Sequence, residues 1–281
     1  MSSSILQAEV PYGLVNRKLK AKGSEFVEEE SADKDVLNGV TASHQERSSP
    51  PKRAAFFDVD GTITKTNVVM AYFVARKEEL PLLLRLFWLP LFFLTCIFYL
   101  IIDWFHRPTF NQIFYRTYRG RLVDKKAALS DLIYKKYYQP RIFSGAKELI
   151  QQLKGQGYII VFVTGSLDFL IDPLAKELGA DFVYAAEMIE AKGRLTGKLK
   201  AMAVSNDEKA MHVQQYALKY GISLSDSLAY GDSVADLQML EAVGGPHAVN
   251  PDSRLRAIAT KRGWPILQWL ELPCSISPLS K

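Results

Sequence analysis

Cysteine is nearly absent: Cys96 and Cys274 are the two in 281 residues. Neither has a Cys or His neighbour at metal-ligand spacing. A zinc site and a disulfide framework therefore lack support, and the expectation is a reducing compartment. Histidine is nearly as thin. His44, His106, His212 and His247 are scattered along the chain, which removes the basis for a His-built metal site or a Ser–His–Asp hydrolase. A strong excess of one charge is also missing. The formal net charge of +5 is too mild to mark a nucleic-acid binder. It suits an anionic membrane surface or a phosphorylated substrate equally well. Nothing near the N-terminus has the apolar core of a secretory signal.

What remains is a chain with 48% hydrophobic and 23% charged residues, enough for one globular domain with an insertion. Residues 1–52 sustain neither a helical nor a strand period. A basic patch (Arg17, Lys18, Lys20, Lys22) and an acidic run (Glu25, Glu28, Glu29, Glu30) precede Ser48-Ser49-Pro50-Pro51. This reads as a flexible tail. An organelle transit peptide is the alternative, disfavoured by the acids. Residues 271–281 read as a second, irregular tail.

Ala54-Ala55-Phe56-Phe57 ends abruptly in Asp58-Val59-Asp60-Gly61-Thr62. A short apolar run closed by a Gly turn predicts a buried strand. In a parallel sheet, ligands gather at the carboxyl ends of such strands. Two carboxylates this close repel each other. Mg²⁺, which takes carboxylate oxygens, water and substrate phosphate, would hold them together. Tyr158–Val163 predicts a second buried strand, ending in Thr164-Gly165-Ser166. A hydroxyl and backbone N–H groups beside a helix start can bind a phosphoryl oxygen there. Ser144 reads as the N-cap of an amphipathic helix, and Glu187–Lys200 as a hairpin. Lys209 opens a predicted helix running to Tyr220. A further strand ends in Gly231-Asp232, with Asp236 one helical turn on.

In this order the segments resemble the four motifs of the haloacid dehalogenase superfamily: Asp-x-Asp-x-Thr, a hydrophobic strand ending in Thr or Ser, a lysine, and Gly-Asp-x-x-x-Asp. The resemblance spans about residues 54–268 and points to the phosphoserine-phosphatase-like subfamily. It implies an α/β core with a doubly wound parallel sheet over 53–65 and 141–270. It also implies a helical cap over 66–140 and Mg²⁺-dependent hydrolysis of a phosphomonoester. By the same resemblance Asp58 is the nucleophile and Asp60 the proton shuttle. Thr164, Gly165 and Lys209 hold the phosphoryl group. Asp58, Asp232 and the Asp60 carbonyl bind Mg²⁺, and Asp236 supports the metal's waters or Lys209. One position departs. Phosphoserine phosphatases carry a carboxylate nine residues after the nucleophile, for the substrate amine, where this chain has Asn67. The amide offers an ammonium group no charge of its own.

Residues 80–105 carry a second departure. From Leu86 to Ile102 there are 17 residues without a charge. As a helix they span roughly 26 Å at ~1.5 Å per residue, against a hydrocarbon core of about 30 Å. Apolar residues cover every face, and Trp88, Tyr99 and Trp104 suit an interfacial belt. Catalytic motifs flank the run, so a single crossing is incompatible with one active site. A hairpin or re-entrant segment broken near Pro90 survives, as does a helix lying in the interface. The alternative is a greasy cap helix buried against its neighbours or a dimer partner. Arg116, Arg119, Arg121, Lys125, Lys126, Lys135 and Lys136 read as a solvated face, or else as contacts to anionic headgroups. The expectation is a membrane-associated phosphatase acting on lipid phosphates, with its catalytic part on the cytoplasmic side. It would touch the bilayer through 80–105, bind no nucleic acid and be open to homodimerisation. A soluble metabolite phosphatase and a non-catalytic membrane scaffold are the alternatives.

Overall fold

The computed structural model describes residues 17–18, 51–105, 107–201 and 207–270. Most of the two expected tails, and His44, His106 and Cys274 with them, lie outside the described residues. The strands are β1 (Arg17–Lys18), β2 (Ala54–Phe57), β3 (Ile159–Leu167), β4 (Phe182–Ala186), β5 (Met188–Ala191), β6 (Arg194–Leu199), β7 (Leu228–Gly231), β8 (Gly245–Val249) and β9 (Ile266–Leu267). The insertion that follows β2 carries α1 (Val68–Glu79), α2 (Leu82–Phe105), α3 (Arg107–Tyr115) and α4 (Lys126–Ile133). The rest are α5 (Ser144–Gly155), α6 (Asp168–Leu178), α7 (Asp207–Tyr220), α8 (Leu237–Glu241) and α9 (Ser253–Arg262).

All four residues of β2 are buried, because the strand has a neighbour on each side and helices on each face. The sheet order is β1-β4-β3-β2-β7-β8-β9. The strands from β4 to β9 run parallel, and β1 is antiparallel at the edge. Alternation along β2 sorts the core. Ala54 and Phe56 pack with Val213 and Tyr216 of α7 and Leu255 of α9. Ala55 and Phe57 pack with Ile150 of α5 and Leu174 of α6. Successive strands leave β2 in opposite directions, so its carboxyl end is the crevice where such sheets bind ligands. β5 and β6 form the expected hairpin outside the sheet.

Several local expectations need correction. β3 continues through Thr164-Gly165-Ser166 to Leu167, with a shift in register against β4. The residue capping α5 is Phe143, without a side-chain bond, and Ser144 is already helical. α7 opens at Asp207, whose charge and that of Glu208 suit a helix N-terminus. β1 falls inside the expected tail, and β9 was not anticipated.

The apolar segment is one continuous helix of 24 residues with Pro90 inside it, not a hairpin broken there. Trp88 and Phe92, on either side of the proline, both pack on Phe73 of α1, at 5.7 and 5.1 Å between ring centroids. Tyr99 packs on Phe110 and Phe114 of α3. Trp88 and Tyr99 therefore face protein instead of forming a belt. This inner edge holds α2 against α1 and α3 along its length, so the helix lies across the insertion. The other faces are open: Leu83 is 74% exposed and Phe87 79%, against 5% for Phe92. Three of the basic residues that follow make surface ion pairs: Arg121 with Glu79, Lys126 with Glu190 and Lys136 with Glu78.

Candidate active site

The crevice at the end of β2 is built from the loops after β2 and β7, the far part of β3 and the start of α7. The Asp58 N–H donates to Tyr230 O at 3.0 Å, which extends the β2–β7 ladder by one residue and fixes the carboxylate's root. Two residues later Gly61 turns at φ +99°, and a Cβ there would lie 2.3 Å from Asp232 Oδ2. Only glycine permits both the conformation and the approach. Gly231 is equally tight: a Cβ would lie 2.5 Å from that of Asp236. The two glycines let the loops after β2 and β7 close on each other.

Lys209 reaches this floor from α7. Its Nζ donates to Asp58 Oδ1 and to Asp236 Oδ1, each at 2.6 Å. All three residues are at most 5% exposed. The other Asp236 oxygen accepts from the N–H groups of Asp232 and Ser233 and from the Ser233 hydroxyl, at 3.1–3.2 Å. Asp236 thus has both oxygens in use and acts as a fixture for Lys209 and the β7 loop. Burial pushes the Asp58 carboxyl up to about 7 against the pull of Lys209, with Asp236 and Asp60 adding to the rise. The lysine is held charged, because two carboxylates outweigh its own burial.

Asp60 has a different environment. Its oxygens accept from the hydroxyls of Thr66 (2.6 Å) and Ser166 (2.5 Å), and Thr66 in turn meets Thr64. The sequence reading did not single out Thr66 or Ser166. Their signal was the spacing: Thr64 with Thr66, and Thr164 with Ser166, are hydroxyls two apart, and the second pair shares a face of β3. Thr164 is buried, and its Oγ1 accepts from the Ser166 N–H at 3.1 Å, which leaves the hydroxyl proton to donate elsewhere. The Gly165 carbonyl accepts from Tyr115 of α3, a contact not foreseen. Asn67 is spent differently from a substrate ligand: its side chain caps α1 by accepting from Met70 N at 2.9 Å.

These groups line a cavity of about 250 Å³ that contains Asp58, Asp60, Thr164, Lys209, Asp232 and Asp236, with Phe110 closing it from the insertion. All the residues expected at the site meet there. Carboxylate oxygens of Asp58, Asp232 and Asp236 lie within 4.8 Å of one another. Three carboxylates facing one ammonium suit a divalent cation. Asp236 has both oxygens engaged within the chain. The Asp60 side chain is not in this group. The remaining described histidines are structural: His212 stacks on Tyr184 and His247 on Tyr230.

The profile of the haloacid dehalogenase-like hydrolases matches residues 55–241, from β2 to the end of α8. The chain belongs to this family. Among curated members, a probable phosphatase of Mycobacterium tuberculosis is 39% identical over 130 residues, 46% of this chain and 45% of that protein. A phosphoserine phosphatase of Archaeoglobus fulgidus is 37% identical over 123 residues, 44% of this chain and 36% of that one. The chain therefore spans about half the length of these relatives, or less. A Bordetella pertussis protein of unknown function has the same fold, with TM-score 0.67 at 23% identity over 77% of this chain and 98% of that one. A phosphoserine phosphatase in its apo form gives TM-score 0.56 at 20% identity over 78% and 94%. At these identities the likeness is one of fold.

Proposed function

We propose that this haloacid dehalogenase-like chain hydrolyses phosphomonoesters through a phosphorylated Asp58, and that its substrate phosphate is presented at a lipid surface. The observation that carries the chemistry is the contrast between two carboxylates in one cavity. Asp58 is paired with an ammonium, which supports a charged nucleophile. Asp60 is held by neutral hydroxyls, which leave it able to take and return a proton.

Asp58 Oδ attacks phosphorus as the bond to the leaving oxygen breaks, and Asp60 gives that oxygen its proton. Asp60, now charged, takes a proton from water as the water attacks the acyl phosphate, freeing Asp58 and inorganic phosphate. Thr164 and Lys209 hold the phosphoryl oxygens through both steps. Asp58, Asp232 and the Asp60 carbonyl would hold Mg²⁺, which when bound neutralises charge on carboxylate and phosphate alike. The orienting groups are Thr66 and Ser166, which keep Asp60 aimed into the cavity.

The lipid reading rests on α2. An 18-residue stretch, Leu82–Tyr99, is long and apolar enough to cross a membrane and is only 11% buried. Its inner edge is held by α1 and α3, and α3, about 13 Å of helix over nine residues, lies between it and the cavity. Such a helix fits the membrane interface better than a crossing. Tyr99 touches Phe110, and Phe110 lines the cavity, so a bilayer on α2 would lie one aromatic ring from the chemistry.

A second reading has its own support. Relatives and fold neighbours are named phosphoserine phosphatases, which favours a soluble substrate with α2 as a dimer face. Asn67, committed to capping α1, argues against an amine-bearing substrate. Phosphate release from soluble phosphomonoesters and from vesicle-borne phosphatidic acid, with Mg²⁺ or EDTA, tests both. We expect Mg²⁺-dependent release that favours the vesicle substrate and falls about a thousandfold or more in Asp58→Asn. Preference for phosphoserine would install the second reading, and release from nothing by folded protein would leave a scaffold.

A further inference from the structure

Beside the catalytic cavity lies a groove of about 620 Å³ that shares Gly61, Thr66, Asn67 and Asp232 with it. Its other walls hold three cations, Lys65, Arg141 and Arg256. The groove is a formed surface. Arg141 lies over the Tyr137 ring at 4.8 Å and donates to Tyr137 O at 3.1 Å. Lys65 N donates to Arg141 O at 2.9 Å, which ties the two segments entering and leaving the insertion.

The opposite wall is fixed as firmly. Trp269 N donates to Asn250 Oδ1 at 2.9 Å, and Asn250 Nδ2 donates back to Trp269 O at 3.2 Å. Asn250 takes a left-handed φ of +42° to do so, a conformation asparagine tolerates better than most residues. The Trp269 ring presses on Gly145, where a Cβ would lie 2.5 Å from it. Among the described residues Asp232 is the one acid that lines the groove, and the proposed chemistry spends it on the cation. A groove with a guanidinium on each of two walls, the Arg141 group held against Tyr137 and the exposed Arg256 opposite, opening from a phosphoryl site, suits a second anion on the same substrate.

We infer that this groove binds a second phosphate group of the substrate, on the leaving-group side, and so selects phosphomonoesters that carry another phosphoryl group a few atoms away. The inference rests on the phosphomonoesterase reading. Such a group occurs in soluble bisphosphates and in lipids whose headgroup joins a phosphodiester to a terminal phosphate.

The test compares the full chain with Arg141→Gln, Arg256→Gln and the double variant, each with Mg²⁺. The soluble arm pairs 1,3-propanediol bisphosphate with 1,3-propanediol phosphate. The lipid arm pairs phosphatidylglycerol phosphate with phosphatidic acid in phosphatidylcholine vesicles. The readout is the ratio of kcat/KM within a pair, which a loss of folded protein does not move. The wild type should prefer the doubly charged member, and each arginine removed should cut that preference about tenfold. The arm with the larger ratio names the source. A wild-type ratio near one, or a ratio unmoved in the double variant, overturns the inference. Calorimetric binding of the same soluble pair to Asp58→Asn, with and without the two arginines, separates the two readings. If nothing is hydrolysed but the bisphosphate still binds more tightly through the arginines, the groove stands and the hydrolase reading falls. Equal binding of the pair in that case removes both.

Discussion

The floor of the crevice and the outer face of α2 break the ordinary burial rule in opposite senses. On the floor, charges are inside: Lys209, Asp58 and Asp236 are almost fully buried. On α2, apolar side chains are outside, Leu83 and Phe87 among them. The first exception is compensated within the chain, since Lys209 bonds both carboxylates and Asp236 fills its other oxygen with N–H groups. The second finds no covering partner among the described residues. A buried charge with partners is a mechanism held in place; an exposed apolar face without one is an interface seeking its other half.

The sharpest way to break this contrast is to remove the ammonium. Lys209→Met leaves two buried carboxylates facing each other and should cost about 3–5 kcal/mol in urea unfolding. It should also lower kcat/KM by about a hundredfold or more. An unfolding midpoint unchanged from wild type would show that the floor is hydrated and its charges cheap. Next comes the inner edge of α2. Phe92→Ala should cost about 3 kcal/mol, since the ring is packed against Phe73, Trp88 and Tyr72. The outer face should behave oppositely: Leu83→Ser with Phe87→Ser should move stability by no more than about 0.5 kcal/mol. The same pair should weaken vesicle partitioning about a hundredfold. Unchanged flotation with a lost dimer would reassign that face to a second copy.

The smallest effect is in pH. The Asp58 carboxyl rises from 3.8 to about 7 on folding, so the folded chain binds that proton more tightly than the unfolded one. Its contribution to stability is full below the unfolded value and is lost as pH climbs through the folded one. The Tm of EDTA-treated protein should therefore fall across this window, more steeply in wild type than in Asp58→Asn. Mg²⁺ should restore the upper end, because it binds the charged carboxylate.

The same contrast explains what was legible in the sequence. Asp58 and Asp232 directly follow β2 and β7, where a short apolar run and its turn encode position locally; Thr164 follows the apolar run that opens β3, Asp236 lies one turn beyond Asp232, and Lys209 follows from their order. The α2 run from Leu86 to Ile102 was legible as apolar and free of charge. Its inner edge was not, because only contact with Phe73 and Phe110 distinguishes Trp88, Phe92 and Tyr99 from equally apolar neighbours. Pro90 misled for a related reason. A proline inside a helix normally kinks or ends it, but here packing on both sides of it onto one ring clamps the helix through. Thr66 and Ser166 escaped because hydroxyls two apart in sequence are common, and it takes the fold to bring two such pairs to one carboxylate.

The pairing of the two linkers has a mechanical meaning. Residue 64 bridges residue 142, Lys65 N bonds Arg141 O, and Phe143 N bonds Ile63 O, so the chain enters and leaves the helical insertion through one stitched ribbon. Two loose tethers would let the insertion tumble; the stitched pair, with Ser130 on Phe169 O and Tyr115 on Gly165 O, keeps it seated on the core. Thr66 sits just beyond the stitches with its hydroxyl on Asp60. One joint therefore positions both the entry to the insertion and the side chain proposed to carry the proton.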